Sequence, residues 1–149
     1  MIPDKHKKKA AWVAICVGCV AGAEGLRTVA YSDFVGVPTA CFGETRNIKL
    51  GDSFTVEQCK DMLGDRIDEF GRGVDGCVTV PLSPSRKAAL VSFSYNVGTQ
   101  AFCSSTLARK LNAGDPRACD ELLKWTKAAG VELPGLVKRR EQERELCLS

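Results

Sequence analysis

Apolar and polar positions divide the chain into segments of two periods. Residues 1–9 are polar and basic, with Lys5, Lys7, Lys8 and Lys9, and are expected to be disordered. Ala10 to Ala23 then runs fourteen residues without a charge and reads as a helix with Glu24 at its C-terminal end. Val29 to Thr39 alternates and reads as a hairpin. Gly51-Asp52-Ser53 marks a loop, and Thr55-Val56-Glu57-Gln58 opens a helix with a capping-box pattern. Its apolar positions Val56, Cys59, Met62, Leu63, Ile67 and Phe70 keep mostly helical spacing to about Phe70, and Gly71, Gly73 and Gly76 are expected to break it there. Ser83-Pro84 starts the next helix with proline in the first turn, where no backbone donor is missed. Ala88, Leu90, Val91, Phe93 and Val97 make this the central buried helix, running to Gly98. Ser104-Ser105-Thr106 caps a short helix ending near Gly114, and Asp115-Pro116 begins another that is expected to stop at Gly130. The last helix runs from about Pro134 to Cys147. The chain has no internal repeat, low-complexity segment or Gly-rich phosphate loop.

At 149 residues the chain is one domain by size and long enough for a real core. Charged residues make up 26% and hydrophobic ones 44%, ordinary values for a soluble globule. The net charge is +3, with lysines at the N-terminus and Lys138, Arg139, Arg140 and Arg144 near the other end. That balance suits an anionic polymer such as cell wall and is too weak for nucleic acid, which calls for a dense basic face. Eight cysteines, an even number, fit a disulfide framework in an oxidising compartment. Cys16-x-x-Cys19 has metal-ligand spacing, but no second pair matches it and the only histidine is His6, so no metal site is expected.

A helix end facing a small sheet leaves a cleft, and Glu24 and Asp33 would place one acid on each wall, with the Thr39 hydroxyl nearby. Cleaving a glycosidic bond needs such a pairing. One carboxylic acid protonates the leaving oxygen while an ionised carboxylate works on the opposite face of the sugar. Spacing alone also permits a simpler assignment, with Glu24 a solvated helix-end charge and Asp33 a turn residue.

Longer motifs shift the weight. Glu24-Gly-Leu-Arg27, Tyr31-Ser-Asp33, Gly36-Val-Pro-Thr39 and Cys41-Phe-Gly-Glu-Thr45 resemble the catalytic signature of phage-type lysozymes, glycoside hydrolase family 24. The family triad is Glu, Asp nine residues on and Thr six further, which Glu24, Asp33 and Thr39 match. The resemblance extends through Ala89 to Gly98, Ser105-Thr106-Leu107, Trp125 and Gly135-Leu-Val-x-Arg139-Arg140-x-x-Glu143-Arg144. It implies a mostly helical α+β, lysozyme-like fold, a small hairpin-bearing lobe and a helical lobe with a cleft between them. The implied activity is hydrolysis of the N-acetylmuramic acid to N-acetylglucosamine β-1,4 bond of peptidoglycan, with inversion and without a cofactor. Glu24 would be the general acid, Asp33 would handle the attacking water with Thr39, and Tyr95 and Thr106 would touch sugar. One of Arg139 and Arg140 would pair with a cleft carboxylate, Glu24 included, unless both belong to a surface helix laced with Glu–Arg pairs. Trp125 is expected in the core. Many members carry Gly-His where this chain has Gly43-Glu44, so Glu44 adds a third carboxylate without an assigned role. Rival readings are a lytic transglycosylase acting on the same bond and a non-enzymatic wall- or membrane-disrupting protein.

The basic flank, short apolar run and Ala21-Gly22-Ala23 also have the pattern of a secretory signal. Cleavage after Ala23 would strip the helix that holds the proposed acid. A bilayer-spanning helix wants about 20 apolar residues, and this run is shorter and rich in Gly and Ala. Some endolysins of the resembling family carry a signal-arrest-release segment, and residues 1–23 fit one. Such a segment is held in the inner membrane and then packs as the first helix of a lysozyme domain, here residues 24–149. A monomer working in the periplasm on glycan strands follows; the alternative waits in the host cytoplasm for a holin opening. Eight cysteines leave the connectivity open. Element order favours Cys77 with Cys103 and Cys119 with Cys147, the latter two recurring in resembling endolysins. Cys41 with Cys59 would tie hairpin to helix, leaving Cys16 and Cys19 in the export segment.

Overall fold

The chain's first long helix, α1 (Asp4–Glu24), buries one stripe, Trp12, Cys16 and Val20, against α3 (Pro84–Val97) and α2 (Val56–Cys77) in a computed structural model that describes residues 4–149. These positions recur every four residues, so they share one face of the helix. The helix reaches back to Asp4, where disorder is expected through Lys9. Lysines are good helix formers, and extending a helix nucleated by a packed segment costs little. Residues 1–3 of that tail lie outside the described residues. No helix among the described residues is long and apolar enough to cross a membrane. Gly25, at φ +71°, ends α1 in the left-handed conformation, and its N–H donates to the Ala21 carbonyl at 3.0 Å.

The hairpin forms as the alternation implies. Strand β1 (Arg27–Ser32) pairs antiparallel with β2 (Pro38–Cys41), placing Tyr31 opposite Thr39 and Ser32 opposite Pro38. Helix α2 joins this lobe to the helical lobe. Thr55 and Gln58 complete its capping box, each side chain accepting from the other's backbone N–H. The helix does not stop at Phe70 but runs to Cys77. Its glycines are packing notches instead of breaks. A Cβ at Gly71 would lie 2.5 Å from the Trp12 ring, and one at Gly73 would lie 2.6 Å from Thr99.

At the centre is α3, capped by Ser83 and buried continuously from Ala88 to Ser94. Leu90, Val91 and Phe93 are wholly buried, each contributing about 1.5–3 kcal/mol by leaving water. Next come α4 (Thr99–Cys103) and α5 (Thr106–Asn112). Between Asp115 and Gly130 the structure differs from the expected single helix. A 3-10 segment spans Ala118–Lys124, and a second hairpin, β3 (Lys127–Ala128) with β4 (Val131–Glu132), turns at Ala129 and Gly130. Both turn residues have positive φ, which ends helical winding there. Helix α6 (Pro134–Leu148) closes the chain.

Disulfides join Cys41 to Cys59, Cys77 to Cys103 and Cys119 to Cys147, the three expected pairings. Cys16 and Cys19 are free; burial pushes the Cys16 thiol up to about 12. The whole is an α+β fold with a small hairpin lobe on a helical lobe.

Candidate active site

Glu24 is the last residue of α1, and two distant elements close on its carboxylate. Arg139 of α6, 7% exposed, donates from Nη1 to Glu24 Oε1 at 2.6 Å and from Nη2 to the Ser92 carbonyl at 3.3 Å. On the other side lies the turn after β2, where Gly43 sits at φ +77°. A Cβ there would stand 2.9 Å from Glu24 Oε2, so only glycine lets the backbone come this close.

Asp33 and Thr39 sit on one hairpin. Asp33 Oδ1 accepts from the backbone N–H groups of Val35 at 3.0 Å and Val37 at 2.7 Å, closing the turn. That leaves Oδ2 outside these two bonds. The Thr39 hydroxyl, on buried β2, donates to the Val37 carbonyl at 2.9 Å, so its oxygen lone pairs remain as acceptors. Tyr95 has another task. Its hydroxyl donates to the Phe42 carbonyl at 2.6 Å while its ring rests on Phe70. Burial first, then the charges of Glu24 and Glu44, pushes its phenol up, so it stays a donor. Thr106 is the first residue of α5; its neighbour Ser105 is the cap, accepting from the Ala108 N–H at 3.1 Å.

Behind Glu24 the charges alternate. Arg140, 1% exposed, donates from Nε to the Trp125 carbonyl at 2.9 Å and from its two Nη atoms to Glu143 and Asn96. Glu143 Oε2 also lies 3.8 Å from Arg139 Nε. Burial pushes the Glu143 carboxyl up and the Arg140 guanidinium down, each opposed by the other's charge. Trp125, partly buried, packs edge-on to Phe93 at 5.2 Å against the core. The two arginines are thus structural members of the interior and not part of a surface lattice of Glu–Arg pairs.

The sequence does not single out Arg66, which meets Glu44 with Nε at 2.7 Å and Nη2 at 3.0 Å. It lies almost three turns into α2 with no local signal pointing toward the cleft. Glu24, Arg139 and Asn96 border a groove of about 1130 Å³ between α1 and α6. Among the described residues, no three side chains of metal-ligating type converge. Glu24 thus has one oxygen pinned by a cation and the other beside the turn after β2, while Asp33 and Thr39, on the hairpin that leads into that turn, are not among the residues lining the groove that Glu24 borders.

Residues 21–143 match a family described as phage lysozyme. A SAR-endolysin of Enterobacteria phage PA-2 is 43% identical over 129 residues, covering 85% of this chain and 78% of that protein. Among solved structures, the muramidase domain of SpmX from Asticaccaulis excentricus is similar at 29% identity with a TM-score of 0.83, covering 90% of this chain and 95% of that one. A P22 lysozyme mutant is similar at 32% identity with a TM-score of 0.77, over the same shares of the two chains.

Proposed function

Given that the chain belongs to the phage lysozyme family, we propose that it is a peptidoglycan-lysing endolysin that hydrolyses the β-1,4 bond between N-acetylmuramic acid and N-acetylglucosamine. The observation that carries this reading is Glu24, fixed by Arg139 and approached by Gly43 in the turn that follows β2 of the hairpin carrying Asp33 and Thr39. Glu24 gives its proton to the glycosidic oxygen as that bond breaks. A water on the opposite face loses a proton to Asp33 Oδ2 as it attacks the anomeric carbon, and the Thr39 oxygen orients it by accepting its second hydrogen. Inversion follows if the two carboxyl groups leave room for that water, a separation of about 6.5–9.5 Å. Tyr95, through its ring because its hydroxyl is engaged, and Thr106 serve as flanking sugar contacts. The similarity to a muramidase domain supports the choice of bond.

The name of the SAR-endolysin relative supports a second part of the reading. Residues 10–23 hold the exported chain at the inner membrane, and on release pack as most of α1, after which the enzyme works in the periplasm as a monomer. The weak apolar character of this helix suits release. The division between residues 1–23 and the lysozyme domain, 24–149, therefore falls directly before the acid.

The test is digestion of purified peptidoglycan by wild type and Glu24→Gln. New reducing ends from wild type alone, with an inverted anomer by proton NMR, are expected. A 1,6-anhydro product would make it a transglycosylase, and full lysis by Glu24→Gln would remove the enzymatic reading.

A further inference from the structure

Glu44 is the third carboxylate of this region, and the proposed reaction gives it nothing to do. It is 8% exposed, and both its oxygens are occupied. Oε1 accepts from Arg66 Nη2 at 3.0 Å and from the Arg46 backbone N–H at 2.9 Å; Oε2 accepts from Arg66 Nε at 2.7 Å. Arg66 also donates to Glu69 at 2.5 Å, and Glu69 accepts from the Arg46 guanidinium at 3.2 Å. Hydrogen bonding to Glu44 is the main reason the Arg66 guanidinium is held above its ordinary range. A two-pronged arginine pair fixes the carboxylate's geometry, which makes it a good clamp.

What it clamps is the turn over the acid. The first half of that turn is tied twice, by the Cys41–Cys59 disulfide and by the Tyr95 hydroxyl on the Phe42 carbonyl. Ala40 and Glu44 exchange backbone hydrogen bonds at 2.9 and 2.8 Å across it. On the second half, side chains tie Glu44 to Arg66 and, two residues on, Arg46 to Glu69. Gly43 lies between the two halves, in van der Waals reach of the Glu24 carboxylate.

We propose that Glu44, acting through Arg66, is a positioning residue that keeps the Gly43 backbone seated on the Glu24 carboxylate and so limits how much water reaches the acid. The proposal rests on Glu24 being the general acid. An acid shielded from water on one side keeps its proton for the leaving oxygen, whereas a turn that lifts admits water to Oε2, the oxygen that Arg139 does not hold.

The variants are Glu44→Gln, Arg66→Met, Arg66→Lys and the Glu44→Gln/Arg66→Met double, assayed for kcat and KM on solubilised peptidoglycan well below their melting temperatures. Glu44→Gln and Arg66→Met are each expected to lower kcat about tenfold with KM within about twofold. The double variant should be no worse than either single one, since the pair acts as a unit. Arg66→Lys, which keeps the charge but loses the fork, should fall between. Native-state hydrogen exchange at the Glu44 amide, which needs no enzymatic activity, should quicken about tenfold in Glu44→Gln. Unchanged kcat with only a lower melting temperature would overturn the proposal, as would a dead Glu44→Gln beside an active Arg66→Met, which would put Glu44 itself on the substrate. Should wild type release no reducing ends, the function proposed above falls. The exchange measurement then still decides whether the clamp holds the turn, and unchanged exchange refutes it.

Discussion

Replacing Gly71 and Gly64 by alanine makes the same chemical change in the same helix, and the structure assigns the two variants opposite signs. In a helix interior alanine is favoured over glycine by about 0.8–1 kcal/mol. A Cβ at Gly64 meets nothing within 4 Å, so Gly64→Ala should gain most of that. A Cβ at Gly71 would stand 2.5 Å from one carbon of the Trp12 ring and 3.1 Å from the next, well inside contact distance. The indole has to shift to admit this Cβ. It is 6% exposed, and Lys87 Nζ lies 4.6 Å from its centroid. Overpacking of this kind costs about 1–3 kcal/mol, which offsets the helical gain and leaves Gly71→Ala about 0–2 kcal/mol less stable than wild type. The gap between the two variants should be about 1–3 kcal/mol, or roughly 2–12 °C in melting temperature for a chain of this size. Urea unfolding followed by far-UV circular dichroism, with the disulfides intact, measures it. The Trp12 fluorescence of Gly71→Ala, read in a Trp125→Phe background, should also shift to the red. Trp12 is one of three anchors of α1, the helix that ends in Glu24, so Gly71→Ala should also lose lytic rate on warming before wild type does. A Gly71→Ala protein as stable as Gly64→Ala would refute the notch.

Three further outcomes follow from the interior. Arg140→Met leaves Glu143, Asn96 and the Trp125 carbonyl without their buried donor and should cost about 3–5 kcal/mol by urea unfolding. Replacing Cys119 and Cys147 together by serine opens a loop of sequence separation 28 and should cost about 3–4 kcal/mol, read as a lower unfolding midpoint. Glu121 is held below the ordinary carboxylate range, chiefly by Lys110 at 2.6 Å and then by Lys124. A lowered folded pKa adds stability that is present above the unfolded value and lost as pH falls through the folded one. Glu121→Gln should therefore be less stable than wild type at pH 7, with the difference closing progressively below about pH 4.5.

The features legible in the sequence are those written within a few residues. The capping box at Thr55 and Gln58, the proline starts at Pro84 and Pro134 and the alternation through Val29 to Thr39 each appear where the pattern puts them. Each depends on hydrogen bonds or periodicity internal to one element. The helix end that carries Glu24 and the short hairpin that carries Asp33 and Thr39 were equally legible. Tertiary structure decided what depends on a distant partner. Nothing near Gly71 or Gly73 says that Trp12 or Thr99 will fill the space a side chain would occupy, so a glycine run reads as a break where the helix continues. From Asp115 onward the cap signal is real, yet the positive φ at Ala129 and Gly130 and the packing of Trp125 on Phe93 divide the segment into a 3-10 turn and a hairpin. The same holds at the site. Arg139 and Gly43 on either side of Glu24, and Arg66 on Glu44, are contacts between elements. A sequence writes its local hydrogen bonds and faces directly, but charge pairing and close approach across elements exist only once the core has brought those elements together.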